Sequence, residues 1–135
     1  MQPNITHDQP GAGDPLIAVC AFPGTPESVR AARAWVSGFL ADPDAAADAA
    51  LMVSELFTNA IRYTASRLPG GEVTVIVQAG QDRVRVDVFD DGPVYPCSTI
   101  PGGLGLGLVL VRQLAEACGG DGTGKWFTLR TGGAR

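Results

Sequence analysis

Hydrophobic and polar side chains alternate along two neighbouring segments of the chain. Valine recurs at every second position in residues 73–78 and again in residues 83–90, RVRVDVFD, where Arg83, Arg85 and Asp87 occupy the opposite face. A period of two residues predicts half-buried β-strands. The Gly-Gln-Asp sequence between the two segments predicts a turn. Residues 16–22 and 126–130 are predicted to form a first and a last short strand.

Three other stretches carry apolar residues at helical spacing. The first is predicted from about residue 25 to 40, where Thr-Pro-Glu supplies an N-cap and a proline at the first helical position. The second begins with Asp-Pro-Asp, spans about residues 42–65 and is stopped by Pro-Gly-Gly. The third is predicted from about Leu104 to Cys118 and closed by two glycines.

The order of these elements, β-α-α-β-β-α-β, predicts the fold class. It fits an α/β two-layer sandwich, with a mixed or antiparallel sheet covered on one face by about three helices. A length of 135 residues suits one domain. We expect residues 1–14 to form a flexible tail and residues 15–131 to form the domain.

Composition and charge narrow the function classes. The formal net charge is −4 and no basic run is present, which argues against nucleic acid or a membrane as the main partner. No signal peptide is visible, and the third helix is too short to span a bilayer. Three widely spaced cysteines suit a reducing, cytoplasmic location. The only histidine, His7, lies in the tail, so a Ser-His-Asp triad or a histidine zinc site is not expected.

The second helix carries a polar group of unusual composition. On a helical wheel, Glu55, Asn59 and Arg62 share one face, with Met52 and Tyr63 at its border. The apolar arc lies roughly opposite. Its members are Val53, Leu56, Phe57, Ala60 and Ile61. The polar face is either a solvated surface with a weak Glu–Arg pair or part of a site.

Two further segments contain candidate chemistry. In VFDDGP, a predicted strand ends at Asp90 and Gly92 allows a sharp turn, so Asp90 either belongs to a simple turn or presents a fixed carboxylate to a ring amine. In GGLGLGL, residues 102–108, glycines precede a helix and could cradle phosphate or form a flexible loop. The glycine spacing does not fit a Rossmann motif, and the GK at residues 124–125 lacks the Ser or Thr of a P-loop.

Taken in order, the three segments resemble a known family. E-x-x-x-N on a helix, D-x-G after a strand and G-x-G-x-G-L before a helix resemble the GHKL ATP-binding superfamily. The stretches FPGTPESVRAARAWV, LMVSELFTNAIRY and GKWFTL resemble actinobacterial anti-sigma-factor serine kinases over about residues 16–130. The resemblance implies a histidine-kinase-like ATP-binding domain that uses ATP and Mg²⁺.

The resemblance also implies a role for each candidate residue. Asn59 would ligate Mg²⁺, Glu55 would be the general base, and Asp90 would bind the adenine amine beside Gly92. The remaining candidates are expected near the nucleotide. The triphosphate and its lid would involve Gly103, Gly105, Gly107, Arg62 and Tyr63, and the adenine pocket would involve Thr128.

Three functions follow as hypotheses from the resemblance. The first is a serine kinase that phosphorylates an anti-sigma-factor antagonist and also sequesters a sigma factor. The second is a nucleotide-dependent protein-binding module without kinase activity. The third is a detached ATPase domain of a sensor kinase, disfavoured because no phosphoacceptor histidine helix is present. A homodimer is also considered. The loop between Asp91 and Gly103 and the segment before Trp126 are shorter than the family pattern, which bears on phosphoryl transfer.

Overall fold

A single antiparallel sheet organises the molecule. The computed structural model describes residues 4–6, 16–92, 105–121 and 123–131. The strands are β1 (Asn4–Thr6), β2 (Leu16–Pro23), β3 (Glu72–Ala79), β4 (Arg83–Phe89), β5 (Ala117–Gly120) and β6 (Gly124–Arg130). They form one six-stranded sheet in the order β1-β2-β3-β4-β6-β5, and every neighbouring pair is antiparallel.

Three α-helices cover one face of this sheet. They are α1 (Pro26–Ser37), α2 (Pro43–Tyr63) and α3 (Gly105–Leu114), and a short 3₁₀ turn follows α2 at Ala65–Arg67. Both α1 and α2 begin with a proline after an extended N-cap residue, as the sequence predicts. The predicted α/β sandwich is therefore confirmed, with a fully antiparallel sheet.

The core lies between the helices and the inward face of the sheet. The alternating valines of β3 and β4 point into it, together with Cys20, Phe22 and Phe127 from the neighbouring strands. The apolar arc predicted on α2 packs against them. None of the helices that the structure describes is long and apolar enough to cross a membrane.

The end of the third helix differs from the sequence-based prediction. The helix ends at Leu114, and residues 117–120 form the edge strand β5 instead of its last turn. A Cβ at Gly119 would lie 3.0 Å from the Trp126 ring, and one at Gly120 would lie 2.7 Å from the Gly124 carbonyl oxygen. The two glycines therefore permit close pairing with β6, and this tertiary pairing overrides the helix propensity of residues 115–118.

The N-terminal segment also contains an element that its sequence did not signal. Asn4–Thr6 pairs with residues 17–19 of β2 at the edge of the sheet. The rest of the predicted tail lies outside the described residues, as do residues 93–104, which include Gly103.

Candidate functional site

Helix α2 carries the first part of the predicted site. Asp42 caps it by accepting a hydrogen bond from the Asp44 backbone N–H at 3.0 Å. Glu55 is half-buried, Arg62 is exposed, and Asn59 is only 8% exposed. The helical wheel places Asn59 opposite the apolar arc, yet in the structure its side chain is nearly as buried as the core residues.

The buried side chain of Asn59 has an unsatisfied polar atom. Its Nδ2 has no hydrogen-bond partner among the described residues. A buried polar group without a partner is costly, and binding of a ligand or an ion is one reason for its presence. Rotation of the amide exchanges its oxygen and nitrogen, so the same position can offer an oxygen to a hard cation. Asn59 therefore fits the predicted magnesium ligand.

The second part of the site is the turn at the end of β4. The backbone N–H of Asp90 donates to the Thr123 carbonyl at 2.8 Å, which ties this turn to the β5–β6 hairpin. The side-chain Oδ1 of Asp90 accepts a hydrogen bond from the Gly92 N–H at 2.8 Å. Gly92 has φ +85°, a conformation that strongly favours glycine. Among the described residues, no hydrogen bond reaches Asp90 Oδ2, which leaves this acceptor for a ligand.

The electrostatics of Asp90 are mixed. Burial raises the pKa of its carboxyl above the ordinary value, and the nearby Asp91 and Asp121 add to this. The Gly92 N–H and the positive charge of Lys125 act in the opposite direction. A carboxylate in these surroundings gains from a hydrogen-bond donor such as a ring amine.

The two parts are joined directly by the backbone. The Ala65 N–H, just after α2, donates to the Gly92 carbonyl oxygen at 2.8 Å. Next to this bond, the Asp91 N–H donates to the Ser66 hydroxyl at 2.9 Å, and Asp91 Oδ2 accepts from the Glu72 N–H at 2.9 Å. The helix with Asn59 and the turn with Asp90 therefore form one connected unit.

Thr64 and Ser66 of this junction lie outside the motifs predicted from the sequence. The signal available was Thr-Ala-Ser directly after a helix, since Ser and Thr often bond the backbone at helix ends. Lys125 was considered only as part of a P-loop-like stretch. In the structure Lys125 belongs to strand β6, whereas a P-loop lysine stands at the start of a helix.

A cavity of about 310 Å³ lies between the helices and the β5–β6 hairpin. Leu56 of α2 and Val111 of α3 provide apolar walls, and Arg112, Lys125 and Asp121 provide charge. Lys125 is also close enough to Asp90 to influence its pKa. Lys125 therefore connects this concave space with the Asp90 turn.

The other predicted residues are placed as follows. Gly105 is the first residue of α3 and Gly107 lies in its first turn, so both are at a helix N-terminus, where phosphate binding is favourable. Tyr63 is the last residue of α2.

Thr128 lies on the outer face of the sheet, because it alternates along β6 with the buried Phe127 and Leu129. Its hydroxyl is 3.3 Å from Glu116 Oε1. The structure does not bring Thr128 together with Asp90 and Asn59.

Most of the chain matches a known protein family. The family described as histidine kinase-like ATPase domain matches residues 22–131. The chain belongs to the histidine kinase-like ATPase domain family. No match is found among curated proteins. The family assignment implies an ATP-binding domain, typically one that uses Mg²⁺, and the buried, unpaired amide of Asn59 fits that cofactor.

Proposed function

We propose that the protein is a Mg–ATP-binding regulator that phosphorylates a serine of an antagonist protein and sequesters a sigma factor. The observation that carries the proposal is the buried side chain of Asn59, whose Nδ2 has no hydrogen-bond partner among the described residues and which lies one helical turn from the half-buried carboxylate of Glu55. Family membership supports ATP binding, and the likeness of three sequence segments to anti-sigma-factor kinases supports the regulatory role. The proposed partners are proteins, and the proposed location is the cytoplasm.

Each residue would make a distinct contribution. Asp90 would accept a hydrogen bond from the adenine amine through Oδ2, while its Oδ1 stays bonded to the Gly92 N–H. Asn59 would hold the metal through its amide oxygen, and the N-terminus of α3 would face phosphate. Glu55 would take the proton of the attacking serine hydroxyl. Bound Mg–ATP supplies the transferable phosphoryl group and the metal charge that stabilises it.

A nucleotide-dependent binding module without transfer is the second candidate. It is favoured by the exposed apolar side chains Leu51 and Val109, which lie on the two helices of the site and could contact a protein partner. In this alternative Glu55 has no catalytic role, whereas Asn59 and Asp90 keep theirs.

Transfer of radiolabel from γ-labelled ATP to candidate antagonist proteins distinguishes the two. Glu55→Gln keeps the size of the side chain but cannot accept a proton at neutral pH. If Glu55 is the general base, transfer should fall by about 10²–10⁴-fold while ATP affinity barely changes. Equal transfer by the wild type and the variant would disprove the catalytic role of Glu55.

The absence of any transfer by the wild type, together with ADP or ATP that co-purifies in native mass spectrometry, would favour the binding module. Absence of nucleotide binding altogether would contradict both candidates.

A further inference from the structure

We propose that Ser66 is a positioning residue that fixes the Asp90–Gly92 turn and thereby sets the preference of the site for adenine bases. The inference rests on the proposed contact between Asp90 and the adenine amine. It goes further by assigning the rigidity of that contact to one buried hydroxyl outside the predicted motifs.

The Ser66 hydroxyl makes two hydrogen bonds to segments that are distant in sequence. It donates to the Glu72 carbonyl oxygen at 2.7 Å and accepts from the Asp91 N–H at 2.9 Å. Ser66 is 0% exposed, so its hydroxyl makes both bonds without contact to solvent. One side chain therefore joins the start of β3 to the middle residue of the Asp90–Gly92 turn.

Ser66 is itself held firmly. Its N–H donates to the Thr64 hydroxyl at 3.1 Å, and that hydroxyl donates to the Ala60 carbonyl of α2. Gly24 and Gly71 pack so closely on the Ser66 carbonyl group that a Cβ at either position would overlap with the carbonyl oxygen. The Ser66 hydroxyl is therefore anchored just after the C-terminal end of α2, the helix that also carries Asn59.

The turn is held on both sides of Asp91 as well. The Gly92 carbonyl accepts from the Ala65 N–H at 2.8 Å, and Asp91 Oδ2 accepts from the Glu72 N–H at 2.9 Å. Because Gly92 donates to Asp90 Oδ1, the orientation of the Asp90 carboxylate depends on where this turn sits. Loss of the Ser66 hydroxyl frees the N–H between those two residues, so the carboxylate should lose its fixed direction.

A comparison of adenine with hypoxanthine, the bases of ATP and ITP, can detect the orientation of the Asp90 carboxylate. Adenine presents an amine donor at the position where hypoxanthine presents a carbonyl acceptor. A fixed carboxylate therefore favours ATP over ITP, and a loosened one discriminates less.

The test compares Ser66→Ala with Val36→Ala, a cavity-forming change in the core of α1 that touches none of these bonds. Calorimetric titration should show that wild type and Val36→Ala prefer ATP to ITP. Ser66→Ala should lose about tenfold of that preference, as expected for one buried hydrogen bond. An unchanged preference in Ser66→Ala would overturn the inference.

A second measurement needs no nucleotide. Amide hydrogen exchange should be faster at Asp91 and Gly92 in Ser66→Ala than in Val36→Ala, after correction for global stability. Equal exchange in the two variants would also overturn the positioning role. If exchange accelerates but the wild type binds neither ATP nor ITP, the positioning role stands and the proposed function fails.

Ser66→Cys serves if the alanine variant does not fold, since a thiol has similar shape but is a weak donor and acceptor. Its preference for ATP over ITP, and its amide exchange rates at Asp91 and Gly92, should lie between the wild-type values and the values expected for Ser66→Ala. Wild-type values for both quantities would contradict the inference.

Discussion

At the scale of single residues, Asp90 and Asn59 share a property that packing alone does not explain. Within the described part of the chain, each has a polar atom without a hydrogen bond, Oδ2 of the half-buried Asp90 and Nδ2 of the buried Asn59. A buried group of the second kind lowers the stability of the empty protein, and both atoms can gain a partner when a ligand binds. Substitutions at both positions should therefore separate stability from binding.

Asp90→Asn should abolish ATP binding without lowering thermal stability at pH 7. The amide still accepts the Gly92 N–H but mispairs with an amine, a loss of about 2–4 kcal/mol. Because burial raises the pKa of Asp90, any stability linked to its protonation is present at low pH and is lost as the pH rises through the folded-state pKa. The neutral amide should not show this loss. Calorimetry measures the loss of ATP binding, and melting curves recorded from acidic to neutral pH measure the change in stability.

Asp82→Asn is the matched control, because it makes the same charge change in the exposed turn between β3 and β4. It should leave ATP affinity unchanged. Wild-type ATP affinity in Asp90→Asn would refute the adenine contact.

Asn59→Ala should weaken ATP binding in Mg²⁺ by about 1.5–3 kcal/mol, as for a lost bond to a charged group, and much less in EDTA. The nucleotide-free protein should not become less stable, because the substitution removes a buried Nδ2 that has no hydrogen-bond partner among the described residues. Titrations with and without Mg²⁺ test this, with Thr58→Ala as the neighbouring control. Equal losses under both conditions would show that Asn59 acts without the metal.

At the scale of secondary structure, the position of the site depends on a crossing of three segments of the chain. The loop before α1, the 3₁₀ turn after α2 and the start of β3 meet where the Gly24 N–H donates to the Gly71 carbonyl at 3.0 Å. Backbone packs on backbone at this crossing, so no side chain can move aside to relieve an added methyl group. The crossing places α2 relative to β3 and, through Ser66, relative to the Asp90 turn.

Gly24→Ala should lower the free energy of unfolding by more than about 3 kcal/mol, because the new Cβ would overlap with the Ser66 carbonyl oxygen. Gly80→Ala, in the β3–β4 turn, is the control, since its nearest neighbour would be the Arg83 carbonyl oxygen at 3.4 Å. Urea denaturation of both variants measures the difference. Similar free energies of unfolding in the two variants would show that the crossing can widen to accept a methyl group without loss of stability.

At the scale of the whole molecule, the two faces of the sheet have different chemistry. The inner face is apolar and packs on the helices, whereas the outer face carries an ordered group of charges. Arg85 forms two hydrogen bonds with Asp87 at 2.9 and 3.0 Å and lies 4.4 Å from the centre of the Trp126 ring. Asp87 is only 9% exposed even though it lies on this outer face.

Arg85→Ala should lower the free energy of unfolding by about 1–2 kcal/mol, because Asp87 loses its partner and Trp126 loses a stacked cation. The value is modest because the Arg85 side chain is 41% exposed and solvent screens its charge. Arg83→Ala is the control, since its partner Glu116 keeps Arg130 at 3.0 Å. Equal losses in the two variants would contradict a specific role for the Arg85 cluster.

The sequence by itself determined the elements whose signals are local. Strand alternation located β3 and β4, proline after a capping residue located the starts of α1 and α2, and glycine located the turn at Gly92, which has a positive φ. These features depend on near neighbours in the chain, so a pattern of a few residues suffices. The D-x-G and E-x-x-x-N pieces were found in the same way.

Only the tertiary structure decided the features that depend on distant segments. The edge strand β5 exists because Gly119 and Gly120 can approach β6, although residues 115–118 favour a helix by propensity. Asn59 is buried although it lies on the polar face of α2, and a helical wheel cannot show this because burial depends on the rest of the fold. Ser66 acquires its partners from Glu72 and Asp91, and the latter lies 25 residues away. A hydrogen bond between segments so far apart has no local signature, because chain folding alone brings its donor and acceptor together.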